Sequence, residues 1–271
     1  MTPAQFNKII RLYYKEHGRK LAWRETRDPY AILVSEIMLQ QTQVSRVEGY
    51  YERFLKQFPN FRTLAKAKNE SVLRAWAGLG YNRRAILLKR LAEAVVKDFH
   101  GELPEDRRTL ESLPGIGKGT SGSLLAFVFN KPEIFIETNI RRVFIHFFFP
   151  RKKMVTDSEI MRYMERTIDR KNPREWYWAL MDYGSSMTAT GSGISANPNR
   201  RSAHYKKQTP FSGSDRELRG KILRIALRSR KIPVKSLYNV LNAPKLRIEK
   251  VLAALSREGF IGIKDENVCI K

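Results

Sequence analysis

Apolar positions along this 271-residue chain recur mainly every three or four residues, the spacing that lines one face of an α-helix. Residues 3–17 alternate apolar and basic at that spacing, and residues 29–58 carry Ile32, Leu33, Ile37, Leu39, Val44, Val47, Tyr50, Tyr51 and Phe54 on helix-like stripes. Further helices are predicted over about 60–67, 69–77, 82–99, 107–112, 119–130, 137–149, 156–169 and 173–183. Residues 185–210 are small, polar and basic with no sustained apolar period, which predicts a surface linker. Three more helices are expected over 215–230, 233–242 and 244–258, before Phe260 to Ile270 alternates like two short strands around Asp265-Glu-Asn267. The predicted fold class is all-α, with a small α+β, winged-helix-like module over 211–271.

Charge changes this picture most. The chain has 51 Lys and Arg against 27 Asp and Glu, a formal net charge of +24. Phosphate contacts by such residues supply most sequence-independent nucleic-acid affinity, so a polyanion is the first partner to consider. From charge alone, a basic soluble protein or a membrane-surface binder is the competing reading. No apolar stretch is long enough to span a bilayer, and Met1-Thr-Pro-Ala lacks the pattern of a secretory leader, so a soluble cytoplasmic monomer is expected. The one cysteine, Cys269, cannot form an internal disulfide, and His17, His100, His146 and His204 are scattered without ligand spacing. No metal site is expected, and catalysis must run on carboxylates.

Leu113-Pro-Gly-Ile-Gly-Lys-Gly-Thr120 joins two predicted helices. Gly115 and Gly117 permit backbone conformations and close approaches that a Cβ would block. With Lys118, Gly119 and Thr120 at the start of the next helix, amide groups and the helix dipole can meet a phosphate oxygen. A plain interhelical turn is the alternative. Glu36 sits beside Ile37, Met38 and Leu39, neighbours that would bury it and raise its pKa toward the range of a proton donor. The alternative for Glu36 is an exposed helix glutamate in an ion pair. A second carboxylate, Glu137, follows the glycine turn in Phe135-Ile-Glu-Thr-Asn-Ile140.

Several strings together resemble the helix-hairpin-helix DNA glycosylases, most closely the MutY-type adenine DNA glycosylases. They are Pro29-Tyr30, Ser35-Glu-Ile-Met-Leu-Gln-Gln-Thr-Gln43, Tyr51-x-Arg-Phe54, Phe58-Pro59, Gly78-Leu-Gly-Tyr81, Leu113-Pro-Gly-Ile-Gly117, Asn139-Ile-Arg-Arg-Val143 and Met181-Asp-Tyr-Gly184, spanning roughly residues 20–185. The resemblance implies a two-lobed fold over 1–185: a six-helix lobe of about 28–135, and a second lobe of the N-terminal helix with about 136–185. It implies double-stranded DNA with a mispaired or damaged base as partner, and excision of adenine facing 8-oxoguanine or guanine after the base is rotated out of the stack. Glu36 is then expected to protonate the leaving adenine and activate water, the second carboxylate to stabilise the sugar cation, and Asn139 to orient the pair. Gln40, Gln41, Thr42 and Tyr81 match residues expected to touch or enter the DNA stack.

This chain departs from the family pattern in four places. Glu137 stands where the family usually has Asp. The stretch from Ser185 to Gln208 lacks the four cysteines that hold a 4Fe–4S cluster in typical relatives, so no cluster is expected, with Arg200, Arg201, Lys206 and Lys207 taking over phosphate contacts. The tail after residue 208 has only 63 residues, 14 basic against 6 acidic, too few for the family's usual Nudix-like domain but suited to DNA-backbone contact. Gly119 replaces the lysine of bifunctional relatives, which predicts a monofunctional enzyme without efficient strand cleavage. The wider superfamily also implies a monovalent cation on hairpin carbonyls. Two readings remain beside adenine excision: removal of thymine or uracil opposite guanine, and DNA binding without catalysis.

Overall fold

The structure, a computed structural model, describes residues 1–188, 197–207, 210–229 and 231–271. Among them, the helices run in chain order α1 (Pro3–His17), α2 (Ala22–Glu25), α3 (Pro29–Leu39), α4 (Val44–Gln57), α5 (Phe61–Lys66), α6 (Asn69–Trp76), α7 (Arg83–Asp98) and α8 (Arg107–Ser112). There follow α9 (Lys118–Phe127), α10 (Thr138–Phe148), α11 (Asp157–Thr167), α12 (Pro173–Ser186), α13 (Asp215–Arg228), α14 (Val234–Val240) and α15 (Lys245–Arg257). The strands are β1 (Ile232–Pro233), β2 (Ile261–Lys264) and β3 (Asn267–Ile270). Nearly every predicted helix is present. The expected linker instead contains a 3-10 turn, Pro198–Arg201, while its residues 189–196 and 208–209 lie outside the described residues.

The chain divides into two units, Met1–Glu36 with Leu103–Lys207, and Ile37–Glu102 with Gln208–Lys271. In the first, α1 starts at a reciprocal cap, where Thr2 Oγ1 accepts from the Gln5 amide at 3.2 Å and Gln5 Oε1 from the Thr2 amide at 3.0 Å. Its buried stripe, Phe6 and Ile10, enters an aromatic core with Phe127, Phe135, Phe144, Trp176 and Tyr177. Phe135 and Tyr177 rings approach to 4.2 Å between centroids, and the Tyr177 hydroxyl donates to the Glu133 carbonyl at 2.7 Å. Residues 103–135 group with the N-terminal and 136–185 helices, because the end of α9 and Phe135 bury their apolar surface there.

In the second unit, Val47, Phe54, Leu64, Trp76, Leu88 and Leu91 are buried, and α5 packs along α7. The continuous stripe predicted over 29–58 is broken at Gln40–Gln43. Gln41 takes a left-handed conformation (φ 55°), and the Arg84 guanidinium occupies the last carbonyls of α3, those of Ile37, Met38 and Gln40, at 2.6–2.8 Å. A helix whose final carbonyls are taken by a side chain has no need to continue. The tail is a winged-helix-like unit of α13, α14 and α15 with an antiparallel sheet of order β1-β3-β2, one strand more than expected. Leu218, Ile222, Ile248, Leu252 and Phe260 form its buried face. The tail does not stand apart as a separate module, since it clusters with residues 37–102 and α13 touches α6.

Candidate active site

Glu36 lies on α3 among buried Ile32, Leu33, Val34 and Ser35, and is itself partly buried. That burial pushes its carboxyl up from the usual 4.5 to about 7. The Ser123 hydroxyl, bonded to the carboxyl, pulls the other way; the charge of Glu137 raises it further and Arg24 lowers it. Ser123, on α9, also lies 3.0 Å from the Thr120 carbonyl. The hairpin's second helix thus supplies a hydroxyl that tempers the effect of burial on Glu36.

Glu137 is the N-cap of α10. Its Oε1 accepts from the backbone amides of Asn139 at 2.7 Å and Ile140 at 2.8 Å, and the Asn139 side-chain amide lies 3.4 Å from Oε2. The added methylene relative to Asp is absorbed as the side chain curls onto its own helix. Burial raises the Glu137 carboxyl, while those two amides, Arg142 and Arg141 lower it, without cancelling burial. The charge of Glu137 is felt at Glu36, where it raises the carboxyl further. With two amides and the helix dipole on its side, Glu137 is the better anion, and the buried Glu36 is the better acid.

The N-terminus of α10 is itself held from several directions. Arg142 donates through Nη1 to Asn139 Oδ1 at 2.8 Å and to the Gly184 carbonyl, and through Nε to Asn197 Oδ1 at 3.3 Å. An arginine cannot accept, so the oxygen of Asn139 must face it, which turns the Asn139 amide nitrogen toward Glu137. On α12, a Cβ at Gly184 would meet the Asn139 carbonyl oxygen at 2.5 Å, so only glycine lets the two helices approach this closely. Asp182, two residues earlier, is buried. Burial would raise its carboxyl, but the forked bonds of Arg24 (2.8 Å each) and those of the Arg19 amide and side chain hold it below the usual range. Arg24 therefore anchors α12 while also contributing positive charge near Glu36.

The glycine turn follows α8 as expected. Leu113 and Ile116 are buried, and the Ile116 amide donates to the Leu113 carbonyl at 3.2 Å. Gly115 needs its freedom, with φ 83°, whereas Gly117 is the extended N-cap of α9 and needs only to be bare. No atom lies within 4 Å of where a Cβ would stand at Gly117 or Gly119. Lys118 and Gly119 are exposed and Thr120 is partly buried. The first amides of α9 have no intrahelical acceptors, the arrangement that binds anions.

One family model spans these elements. HhH-GPD, the HhH-GPD superfamily of base excision DNA repair proteins, matches residues 34–170, from α3 through the hairpin to just past α11. The chain belongs to the HhH-GPD superfamily. It is 37% identical over 190 residues to the adenine DNA glycosylase of Buchnera aphidicola subsp. Baizongia pistaciae, covering 68% of this chain and 53% of that protein. It is 33% identical over 186 residues to the thymine/uracil-DNA glycosylase of Pyrobaculum aerophilum, covering 66% and 81%. Among solved structures it resembles a thermostable thymine-DNA glycosylase at 26% identity and a TM-score of 0.62, covering 70% and 88%. The chain spans about half the length of the first of these relatives.

The iron–sulfur cluster of typical MutY-type relatives does not fit the residues present. Cys269, the chain's one cysteine, lies in β3, and among the described residues no group of three or more His, Cys, Asp or Glu could hold a metal ion. Polar side chains fasten the segment after α12 to α10 instead. Asn199 Nδ2 donates to the Thr138 carbonyl at 2.9 Å, and the Arg201 guanidinium serves the carbonyls of Phe149, Pro150, Lys152 and Ile145. Arg201 is thus a correction to the expected phosphate contacts, because its donors close the C-terminal end of α10. Arg200, Lys206 and Lys207 are exposed as expected.

The remaining HhH-GPD residues singled out by sequence lie in the second unit. Gln41 is exposed, Gln40 and Thr42 are partly buried, and Tyr81 is 38% exposed with φ 48°. Sequence reasoning missed Arg84, which fastens both loops. Besides the carbonyls of α3, its guanidinium reaches Thr42 Oγ1 at 3.0 Å and the Gly80 carbonyl at 3.1 Å, and lies over the rings of Trp76 and Tyr81. Arg24, Ser123, Arg142 and Asp182 were missed as well. Asp182 and Arg142 had a signal, their places in the Met181-Asp-Tyr-Gly184 and Asn139-Ile-Arg-Arg-Val143 strings.

Proposed function

We propose that the protein is a monofunctional DNA glycosylase of base excision repair that acts as a monomer on double-stranded DNA and removes adenine mispaired with 8-oxoguanine or guanine. The observation that carries this reading is the unequal pair of acids: a carboxyl held neutral near pH 7 by burial, and a second anchored as an anion on a helix N-terminus. Glu36 gives its proton to a ring nitrogen of the flipped adenine. The C1′–N9 bond breaks with its electrons going to the base, leaving positive charge on the sugar beside the Glu137 carboxylate. Glu36, now an anion, takes a proton from water as the oxygen bonds C1′, which restores the acid and leaves an abasic site. The hairpin amides grip phosphate, and Gln41 and Tyr81 hold the opened stack. Gly119, where bifunctional relatives have lysine, supports hydrolysis without strand cleavage.

Incubation with a duplex bearing adenine opposite 8-oxoguanine, followed by alkali, tests the reading. Strand breaks at the adenine after alkali, and no covalent adduct on borohydride treatment, are expected. An intact strand would contradict adenine excision, and efficient trapping would contradict the monofunctional assignment. A second specificity is favoured by the 33% identity to a thymine/uracil-DNA glycosylase. Breaks appearing only with thymine or uracil opposite guanine would establish it.

A further inference from the structure

The 3-10 turn Pro198–Arg201 packs along α10 and is fixed at both ends of that helix. At the C-terminal end the Val155 amide donates to the Arg201 carbonyl at 2.8 Å and the Ala203 amide to the Val155 carbonyl at 2.9 Å, while the Arg201 side chain serves the carbonyls that close the helix. At the N-terminal end two asparagines reach the residues beside Glu137. Asn199, only 5% exposed, donates through Nδ2 to the Thr138 carbonyl at 2.9 Å. Asn197 caps the turn, its Oδ1 accepting from the Asn199 amide at 3.1 Å and from Arg142 Nε at 3.3 Å.

Neither contact is needed to satisfy the backbone of α10. Thr138 is the first residue of the helix, so its carbonyl already accepts from the amide four residues on, and Asn199 adds a bond to the second lone pair. In return the Asn199 Oδ1 lies buried with no hydrogen-bond partner among the described residues, which costs the desolvation of that oxygen. A side chain that duplicates one bond and forgoes another adds little stability; what it fixes is place. Asn197 acts one bond further out. With its Nε engaged by Asn197, the Arg142 guanidinium presents Nη1 to Asn139 Oδ1 and the Gly184 carbonyl, and the Asn139 amide nitrogen is left facing Glu137 Oε2 at 3.4 Å.

We propose that this turn, in the stretch where typical MutY-type relatives hold a cluster, is a positioning element of the active site: it holds the start of α10, and with it the Glu137 carboxylate, in one place. Asn197 and Asn199 are its positioning residues, acting through Arg142 and Thr138 without touching the reacting atoms. The proposal rests on the reading of Glu137 as the anion beside the sugar, and its test separates the two. The variants are Asn199→Leu, Asn197→Ala and Asn197→Asp, each alone and combined with Glu137→Gln. The measurements are single-turnover excision from a duplex with adenine opposite 8-oxoguanine, equilibrium binding to that duplex carrying uncleavable 2′-fluoro-2′-deoxyadenosine, and ¹³C titration of the Glu137 carboxyl, with folding verified by circular dichroism.

Because a displacement of about 1 Å imposed from outside the site can cost about 10²-fold, Asn199→Leu and Asn197→Ala should slow excision by about tenfold or more. Duplex affinity should stay within about twofold, since no DNA contact is removed. Asn197→Asp keeps the accepting oxygen and should keep most of the rate. In the Glu137→Gln background the same changes should slow excision by less than about twofold, because the charge they place is already gone. The Glu137 midpoint should rise in Asn199→Leu and Asn197→Ala, as the amides and the Arg142 charge that favour the carboxylate shift away from it. Equal slowing with and without the Glu137 charge would mark a merely structural role and overturn the proposal. So would an unchanged rate and midpoint in both variants; should Asn197→Ala fail to fold, Asn199→Leu, which swaps a half-satisfied amide for an apolar side chain of similar size, decides the matter. Failure of the unaltered protein to excise adenine would sink the adenine reading alone. The Glu137 midpoint would then decide the proposal, a rise supporting it and an unmoved value overturning it.

Discussion

Glu36 and Glu137 are the same side chain in two surroundings, and in the proposed reaction the contrast between those surroundings divides the chemistry between them. Glu36 sits on the flank of a buried helix with one serine as hydrogen-bond partner, so its cheapest state is the neutral acid. Glu137 caps a helix, takes two backbone amides, and has Arg142 and Arg141 nearby, so the charge it bears is partly compensated. Burial raises both carboxyls, and the difference lies in what opposes it. In the proposed reaction, acid and anion are thus assigned by hydrogen-bond donors, not by residue type.

Removing the proton donor should break the contrast most severely. Glu36→Gln is expected to lower the single-turnover rate by about 10³-fold or more while leaving DNA affinity within a few-fold, measured by excision and by binding to uncleaved duplex. Glu137→Gln keeps a group that can cap the helix but loses the charge, and should cost about 10²-fold in the same assay. Gly184→Ala forces the Asn139 backbone away from α12, which should lower thermal stability by about 1–3 kcal/mol and slow excision with it, since the two amides that hold Glu137 move.

The smallest effect sharpens the comparison through stability. Because the folded Glu36 carboxyl titrates at about 7 against the usual 4.5, its contribution to stability is full below about 4.5, is lost as pH rises toward about 7, and is absent above. Glu36→Gln should therefore be more stable than the unaltered protein at pH 8, on the order of 1–3 kcal/mol, with the difference shrinking toward pH 4.5 in denaturant titrations.

Much of this was legible in the chain. Helical periodicity placed α1, α8 and α15 to within a residue or two, and the apolar neighbours of Glu36 foretold its burial. The features that escaped are long-range. Arg84 ends α3 from 44 positions away, through its bond to the Gln40 carbonyl, and Asp182 meets Arg24 across 158 positions. Local pattern carries no trace of such pairs, because an arginine on a helix stripe looks like a solvated one. Arg201 misled for the same reason: a basic residue in a polar stretch suggests phosphate, yet its donors serve the end of α10. The extra β1 strand escaped because two residues, Ile232 and Pro233, are too few to show alternation.

The central claim is that Glu36 holds a proton at neutral pH. Carboxyl ¹³C chemical shifts of glutamate-labelled protein, assigned by comparison with Glu36→Gln, report it directly. The account predicts a midpoint near 7 that falls in Glu137→Gln, where the neighbouring charge is gone. A midpoint near 4.5, indifferent to Glu137, would contradict it.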